Sequence, residues 1–239
     1  MLTARVVTVE TLDHLAAGDP AARRSRRDLL RVHRAMGTRD IVARGWQALL
    51  PSHRSAPLKV LELGAGDGRL LLGVARALAP AWPPVRLTLF DRQDIVSPAT
   101  LAAYAELGWA AEVAVADVLD WAAPNEAAPA WDLITTTLFL HHFQGAQLAA
   151  VLAAVAARSQ RFFACEPRRA WPALAGSHLV GALGANAVTR EDAVLSVRAG
   201  FRGHELSALW PGGSFAWQCH EHAAGLFSHC FSARRNGAR

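Results

Sequence analysis

Glu62, Gly64, Gly66 and Gly68 stand at alternate positions in Val60-Leu61-Glu62-Leu63-Gly64-Ala65-Gly66-Asp67-Gly68. That spacing narrows what the segment can hold. Glycines at a strand-to-helix turn permit positive φ and let a ligand approach the backbone. The start of the next helix turns free N–H groups towards it. A dinucleotide fingerprint, Gly-x-Gly-x-x-Gly, needs a third glycine where Arg69 stands, and no Lys-Ser/Thr pair follows as a phosphate-binding loop requires. The leading carboxylate, Glu62, would repel a pyrophosphate and suits a cationic ligand. Downstream, Asp91 and Asp117 each end a strand-like run. An acid at the first of these places can accept hydrogen bonds from both ribose hydroxyls, and one at the second can accept from an adenine amine. Leu140-His141-His142-Phe143 adds two imidazoles. With an ordinary pKa near 6.5, an imidazole can take a phenolic or enolic proton at neutral pH.

The elements that must position these groups follow from the apolar patterning. Apolar runs over 59–63, 85–91, 111–117, 131–137 and 161–167 read as strands, and helical patterns fall at 69–79, 98–108 and 145–157. Strand–helix alternation of this kind predicts a parallel sheet covered on both faces. Ahead of it, residues 1–57 read as a helical cap, with helices from about Pro20 to Gly37 and over 39–50. Residues 58–239 form the second unit. Within it, 168–188 reads as irregular and Gly-rich, and a helix opens at Thr189 with Asp192 three positions on. Two last strands, 203–210 and 225–232, are read as an antiparallel pair turning around Pro211-Gly212-Gly213.

The glycine loop, Asp91, Asp117 and Trp131-Asp132-Leu133-Ile134 together resemble the successive motifs of class I S-adenosylmethionine-dependent methyltransferases. The resemblance covers 58–167 closely. It implies an α/β fold: a Rossmann-like, doubly wound, seven-stranded, mostly parallel sheet with an antiparallel final strand, here with the N-terminal helical cap. It implies S-adenosyl-L-methionine as cofactor, held along Glu62, Gly64, Ala65, Gly66 and Gly68, with the first of these at the methionine end. Asp91 would take the ribose and Arg92 would lie over the adenine. Asp117 and Val118 would meet the adenine edge, and Thr137 and Leu138 would face the sulfonium. His141 and His142 would stand at the methyl acceptor, His141 first as proton acceptor and His142 second, or else pack the start of a helix. The acceptor pocket would be built by 168–188, with His178, Trp171, Leu179 and Leu183, and by the N-terminal helices. Arg34 or Arg39 would meet the cofactor carboxylate. Glu166-Pro167 ends the fifth strand and could orient a polar group, or else simply terminate the strand.

Composition bounds the alternatives. The chain has 239 residues, 52% apolar and 19% charged, too apolar for disorder. Charged residues and histidines interrupt every long apolar run, so no membrane span is expected, and the start lacks an apolar leader pattern. Three cysteines, Cys165, Cys219 and Cys230, without Cys-x-x-Cys, fit a reducing cytoplasm. Net charge is +5 and Lys59 is the only lysine; Arg23, Arg24, Arg26, Arg27, Arg31 and Arg34 crowd one helix, read as a solvated face, with an RNA or acidic-partner face or a lid over a ligand as the other readings. The spacing of Cys219, His220, His222, His229 and Cys230 does not match a zinc site, so no metal is expected. The expected partner is a small-molecule methyl acceptor, aromatic or polyketide-like, methylated at oxygen. Methylation at carbon of a quinone-like or lipidic ring, an RNA substrate and a non-catalytic scaffold are the rival readings. Nucleic acid is disfavoured because Thr137-Leu138-Phe139-Leu140 stands where base-methylating enzymes carry an amine-binding Asn-Pro-Pro-Tyr type motif.

Overall fold

The computed structural model describes residues 4–50, 56–123 and 131–237. The sequence between the third and fourth strands reads as an Ala/Pro loop over 122–130, and 124–130 lie outside these residues. In chain order the helices are α1 (Thr11–His14), α2 (Pro20–Met36), α3 (Thr38–Leu49), α4 (Arg69–Leu78), α5 (Pro98–Ala105), α6 (Val118–Trp121), α7 (Gly145–Arg158), α8 (Trp171–Leu179), α9 (Ala187–Ala199) and α10 (Gly213–Ala216). The strands are β1 (Leu58–Leu63), β2 (Val85–Asp91), β3 (Trp109–Val115), β4 (Leu133–Thr137), β5 (Arg161–Pro167), β6 (Trp217–Ala224) and β7 (Ser228–Arg235). They form one sheet in the order β3-β2-β1-β4-β5-β7-β6, in which β7 runs antiparallel to both its neighbours and the remaining pairs are parallel.

The strands near the middle are apolar on both faces, as helices on either side require. Alternate residues of β1 therefore feed two cores. Val60 joins Trp46, Leu71, Val74 and Leu87 on one face, while Leu61 and Leu63 join Ile134, Leu152, Phe162 and Phe231 on the other. Trp46 of α3 is fully buried and stacks on Trp82 and Trp109, with ring centroids 5.9 and 6.3 Å apart. α3 is therefore part of the layer that covers the sheet. The chain runs from β1 outward to β2 and β3, then returns to the other side of β1 for β4 and β5. A crevice opens at the carboxyl ends of the strands where such a reversal occurs.

Local signals account for the element ends. Asp19 accepts from the backbone N–H of Ala21 (2.7 Å) and Ala22 (3.3 Å) to open α2, and Gly37, at φ 67°, closes it and starts α3. Several expectations differ. β3 ends at Val115, and Asp117 instead caps α6 by accepting from Leu119 N at 2.7 Å. Residues 168–188, expected to be irregular, contain α8, with Pro172 in its first turn. α9 opens at Asn186, whose side chain accepts from Thr189 N at 2.9 Å, and the Thr189 hydroxyl pairs with Ser25 instead of capping. Residues 203–210 form turns, not a strand, because Glu221 accepts from the N–H groups of Leu206 (3.0 Å) and Ser207 (2.7 Å). The antiparallel pair at the end is β6 with β7, turning at Gly225 and not at Pro211-Gly212-Gly213. No helix among the described residues is long and apolar enough to cross a membrane.

Candidate active site

A cavity of about 610 Å³ lies in the crevice at the ends of β1, β2 and β4. Glu62, Gly64, Ala65, Gly66, Asp91, Arg92, Asp117, Val118, Thr137, Leu138, His141 and His142 all line it. Gly68 does not. At φ 71° it starts α4, its carbonyl accepts from the Tyr104 hydroxyl at 2.8 Å, and a Cβ there would sit 3.1 Å from Leu89. Its glycine is required by packing against β2 and α5.

Asp91 sets the shape of the glycine loop. One carboxylate oxygen accepts from Gly66 N at 2.8 Å and the other from Gln93 N at 2.9 Å. Each oxygen keeps a further lone-pair direction for a ligand. Gly64, at φ 73°, carries the Phe139 ring where a side chain would be: a Cβ would meet Phe139 Cδ2 at 2.2 Å. Gly66, at φ 56°, faces open space. Glu62 has its side chain buried among these groups, the residue being 3% exposed, and its Oε2 has no hydrogen-bond partner. Burial, and then the neighbouring carboxylates of Asp91 and Asp67, push its pKa well above the usual carboxylate range. A buried acid without a donor is a site that a cation would complete.

The end of β4 carries the imidazoles. Leu138 adopts φ 52°, the one non-glycine residue with positive φ among those described, and donates its N–H to Cys165 O at 2.9 Å. Strain of this kind marks sites whose backbone is held by its surroundings. The agent here is Glu166. Fully buried, it accepts from the N–H groups of Phe139 (3.1 Å), Leu140 (3.0 Å) and His141 (3.3 Å). It also bonds His141 Nδ1 at 2.9 Å. Of the two roles open to Glu166, it takes the one that orients polar groups. His141 Nε2 lies 3.2 Å from Glu10 Oε1. Burial alone would lower the His141 pKa, but the bonds to the two carboxylates raise it to about 9. At neutral pH that imidazole is charged with both nitrogens occupied, so in this arrangement it cannot take a proton from an acceptor. His142 is partly open, its side chain 22% exposed, with Nδ1 3.2 Å from Asp13 Oδ2.

One wall of the cavity is a strap from the N-terminal segment. Val7, Val9, Glu10, Leu12 and Asp13 line it, followed by Arg26, Leu29, Leu30 and His33 of α2. Arg5 anchors the strap by donating to the carbonyls of Phe143 (2.8 Å), His141 (3.0 Å) and Ala199 (2.6 Å). Asp13 meets Arg92 at 3.4 Å as well as His142. Arg26, which bonds Gln93 Oε1 at 2.9 Å, is the α2 guanidinium at the cavity; neither Arg34 nor Arg39 lines it. Nor does any residue of 168–188: Trp171 is 73% and Leu179 67% exposed. A signal for the strap did exist. Glu10 and Asp13 are spaced for one face of a helical turn, and a glutamate ending an apolar strand, as Glu166 does, must find donors.

No protein-family model matches the sequence, and no curated protein matches it. Solved structures do. An O-methyltransferase family protein from Burkholderia thailandensis aligns over 92% of this chain and 61% of its own, with 16% identity and a TM-score of 0.56. Magnesium protoporphyrin IX methyltransferase from Synechocystis PCC 6803, with bound SAH, aligns over 94% and 91%, at 15% identity and TM-score 0.53. The plantazolicin methyltransferase BpumL, in complex with a triazolic desmethylPZN analog and SAH, aligns over 91% and 92%, at 13% identity and TM-score 0.63. The chain has the class I methyltransferase fold. It spans about three fifths of the Burkholderia protein's length and nearly all of the other two. The sheet order with antiparallel β7 agrees with the arrangement that the sequence motifs imply for this fold.

Proposed function

We propose that the chain transfers a methyl group from S-adenosylmethionine to an oxygen of a small-molecule acceptor. The observation that carries the reading is the partnerless carboxyl of Glu62 sharing one cavity with Asp91. When bound, this cofactor supplies an activated methyl group on a sulfonium with a neutral thioether as leaving group. The residues around it suit each part. Glu62 receives the ammonium group at the methionine end. Gly64, Ala65 and Gly66 let the methionine pass against bare backbone. Asp91 accepts from the ribose hydroxyls on its remaining lone pairs, and Arg92 lies over the adenine. Asp117 and Val118 border the adenine edge. Thr137 and the strained Leu138 frame the sulfonium. The bound SAH of the structural neighbours supports this choice of ligand.

The acceptor end is the region of His141, His142, Phe139 and Phe143, under the strap. Alignment of acceptor and methyl in such a crevice can supply about 7–11 kcal/mol of the barrier. The strap and the phenylalanines wall the acceptor end beside the imidazoles and their carboxylates.

Calorimetric titration with SAH and radiolabel transfer from S-adenosylmethionine to a panel of phenols and hydroxylated aromatic ketones test the proposal. Saturable binding and labelled ether products are expected. Absence of any binding heat for either nucleoside would overturn it.

A further inference from the structure

We propose that Glu10, His141 and His142 form a binding site for a divalent first-row transition ion, at which the acceptor oxygen is held and ionised. The proposal rests on the methyl-transfer reading for its purpose but not for its test. One donor atom from each of the three residues falls within 4.8 Å of the others, facing the cavity. His141 Nε2 and Glu10 Oε1 are 3.2 Å apart. Two donors on one tetrahedral ion with bonds of about 2.0–2.1 Å would be separated by about 3.3 Å, so this pair already stands at ligand spacing. The part-exposed ring of His142 closes the remainder by reorienting. Two imidazoles and one carboxylate are a donor set that suits zinc, iron(II) and related ions and leaves a position open for substrate.

The surroundings are those of a ligating histidine. Ligating imidazoles give their second nitrogen to a carboxylate, which fixes the tautomer and strengthens the ligand. Glu166, at 2.9 Å from His141 Nδ1, does so while being itself held by three backbone N–H groups. Glu10 is steadied by the Ser196 hydroxyl, and His142 by Asp13. Charge favours the same occupant. Carboxylates outnumber guanidiniums here: Glu10, Asp13, Glu166 and Asp192 lie near Arg5 and Arg92, with Glu205 and Arg169 flanking Arg5. A divalent ion offsets part of that negative charge and holds the acceptor oxygen in its ionised form. The acceptor's hydroxyl proton passes to solvent. Its oxygen then forms the new bond to the methyl carbon as the carbon–sulfur bond breaks, and that electron pair stays on sulfur. The ligands lie on the strap and beyond β4, far apart in sequence, so no spacing motif announces them.

Chelator-stripped, tag-free full-length protein is titrated with Zn²⁺ by calorimetry and with Co²⁺ by absorption spectroscopy. The expected result is about one ion per chain, with Co²⁺ ligand-field bands of mixed nitrogen and oxygen ligation. Glu10→Gln and His142→Ala each weaken binding at least tenfold, and Glu166→Gln by about 10–100-fold. Ala substitution of His220 and His222, exposed on β6, leaves binding unchanged. Circular dichroism identifies any variant that fails to fold, and the Glu10→Gln result decides if Glu166→Gln does. Binding of much less than one ion, unaltered affinity in both Glu10→Gln and His142→Ala, or binding that depends on His220 and His222 would overturn the proposal. Failure of the methyl-transfer reading is separable: stripped protein that binds no SAH but takes up the ion sinks that reading alone.

Discussion

Glu62 should couple ligand binding to proton release. In the ligand-free protein its buried carboxyl has no donor, and burial with Asp91 and Asp67 nearby raises its pKa well above 4.5. An ammonium group placed against Oε2 reverses that balance by favouring the charged form. Binding of SAH, which carries the same ammonium group, should then expel protons at pH values above the ordinary carboxylate range and below the raised pKa of the free protein. Calorimetry in buffers of different ionisation enthalpy counts them. Glu62→Gln keeps the shape and removes the titration. It should release none and bind about ten- to a hundredfold more weakly, since a hydrogen bond to a charged group contributes about 1.5–3 kcal/mol. The sign for stability is opposite. A carboxyl whose folded pKa lies above its unfolded value contributes stability below the unfolded pKa and loses it as pH rises through the folded one. Ligand-free Glu62→Gln should therefore unfold at a higher temperature than the wild type at pH 7. Equal affinity of the two proteins, with no proton count for the wild type, would refute the assignment of Glu62 to the cation.

Two glycine variants should part company. Gly64→Ala drives a Cβ to 2.2 Å from the Phe139 ring, so loss of stability by more than about 2 kcal/mol is expected in urea unfolding. Gly66→Ala meets open space, so the protein should stay folded, at a cost of about 1 kcal/mol for positive φ, while SAH affinity falls; retained affinity would remove Gly66 from the ligand's path. His33 is buried with its pKa lowered to about 4 from 6.5, so it folds neutral. Its contribution is intact above pH 6.5 and is lost as pH falls towards 4, by up to about 3 kcal/mol. The difference between wild type and His33→Gln in unfolding free energy should follow that window, and a flat difference would discount the burial. Arg5→Ala removes the strap's bonds to the carbonyls of Phe143, His141 and Ala199. Faster SAH dissociation in stopped-flow displacement is the expected outcome.

What was legible in the sequence was local. β2 and β5 have the ends that the patterns over 85–91 and 161–167 imply: apolar residues interleave with Arg86 and Thr88 in β2, and Asp91 and Pro167 end the two strands. That the glycine loop and Asp91 meet in one crevice was readable because both lie at the ends of neighbouring strands. The partners of His141 were not. Glu10 and Glu166 reach it from residues far along the chain, and no periodicity encodes which acid meets which imidazole. The reading of 203–210 as a strand failed for the same reason: a side chain distant in sequence, Glu221, satisfies N–H groups that a neighbouring strand would have taken. In 168–188 the apolar Trp171 and Leu179 suggested a pocket wall, but α8 turns both outward.

The strap also has a consequence for the order of assembly. Arg5 grips carbonyls contributed by residues 140–143 and 199, and Glu10 grips His141 and Ser196. On the ribosome residues 5–13 emerge long before anything they can hold. Their contacts form only after residues 140–143 and α9 have been translated, so the wall that they give the cavity is made by segments well over a hundred residues apart.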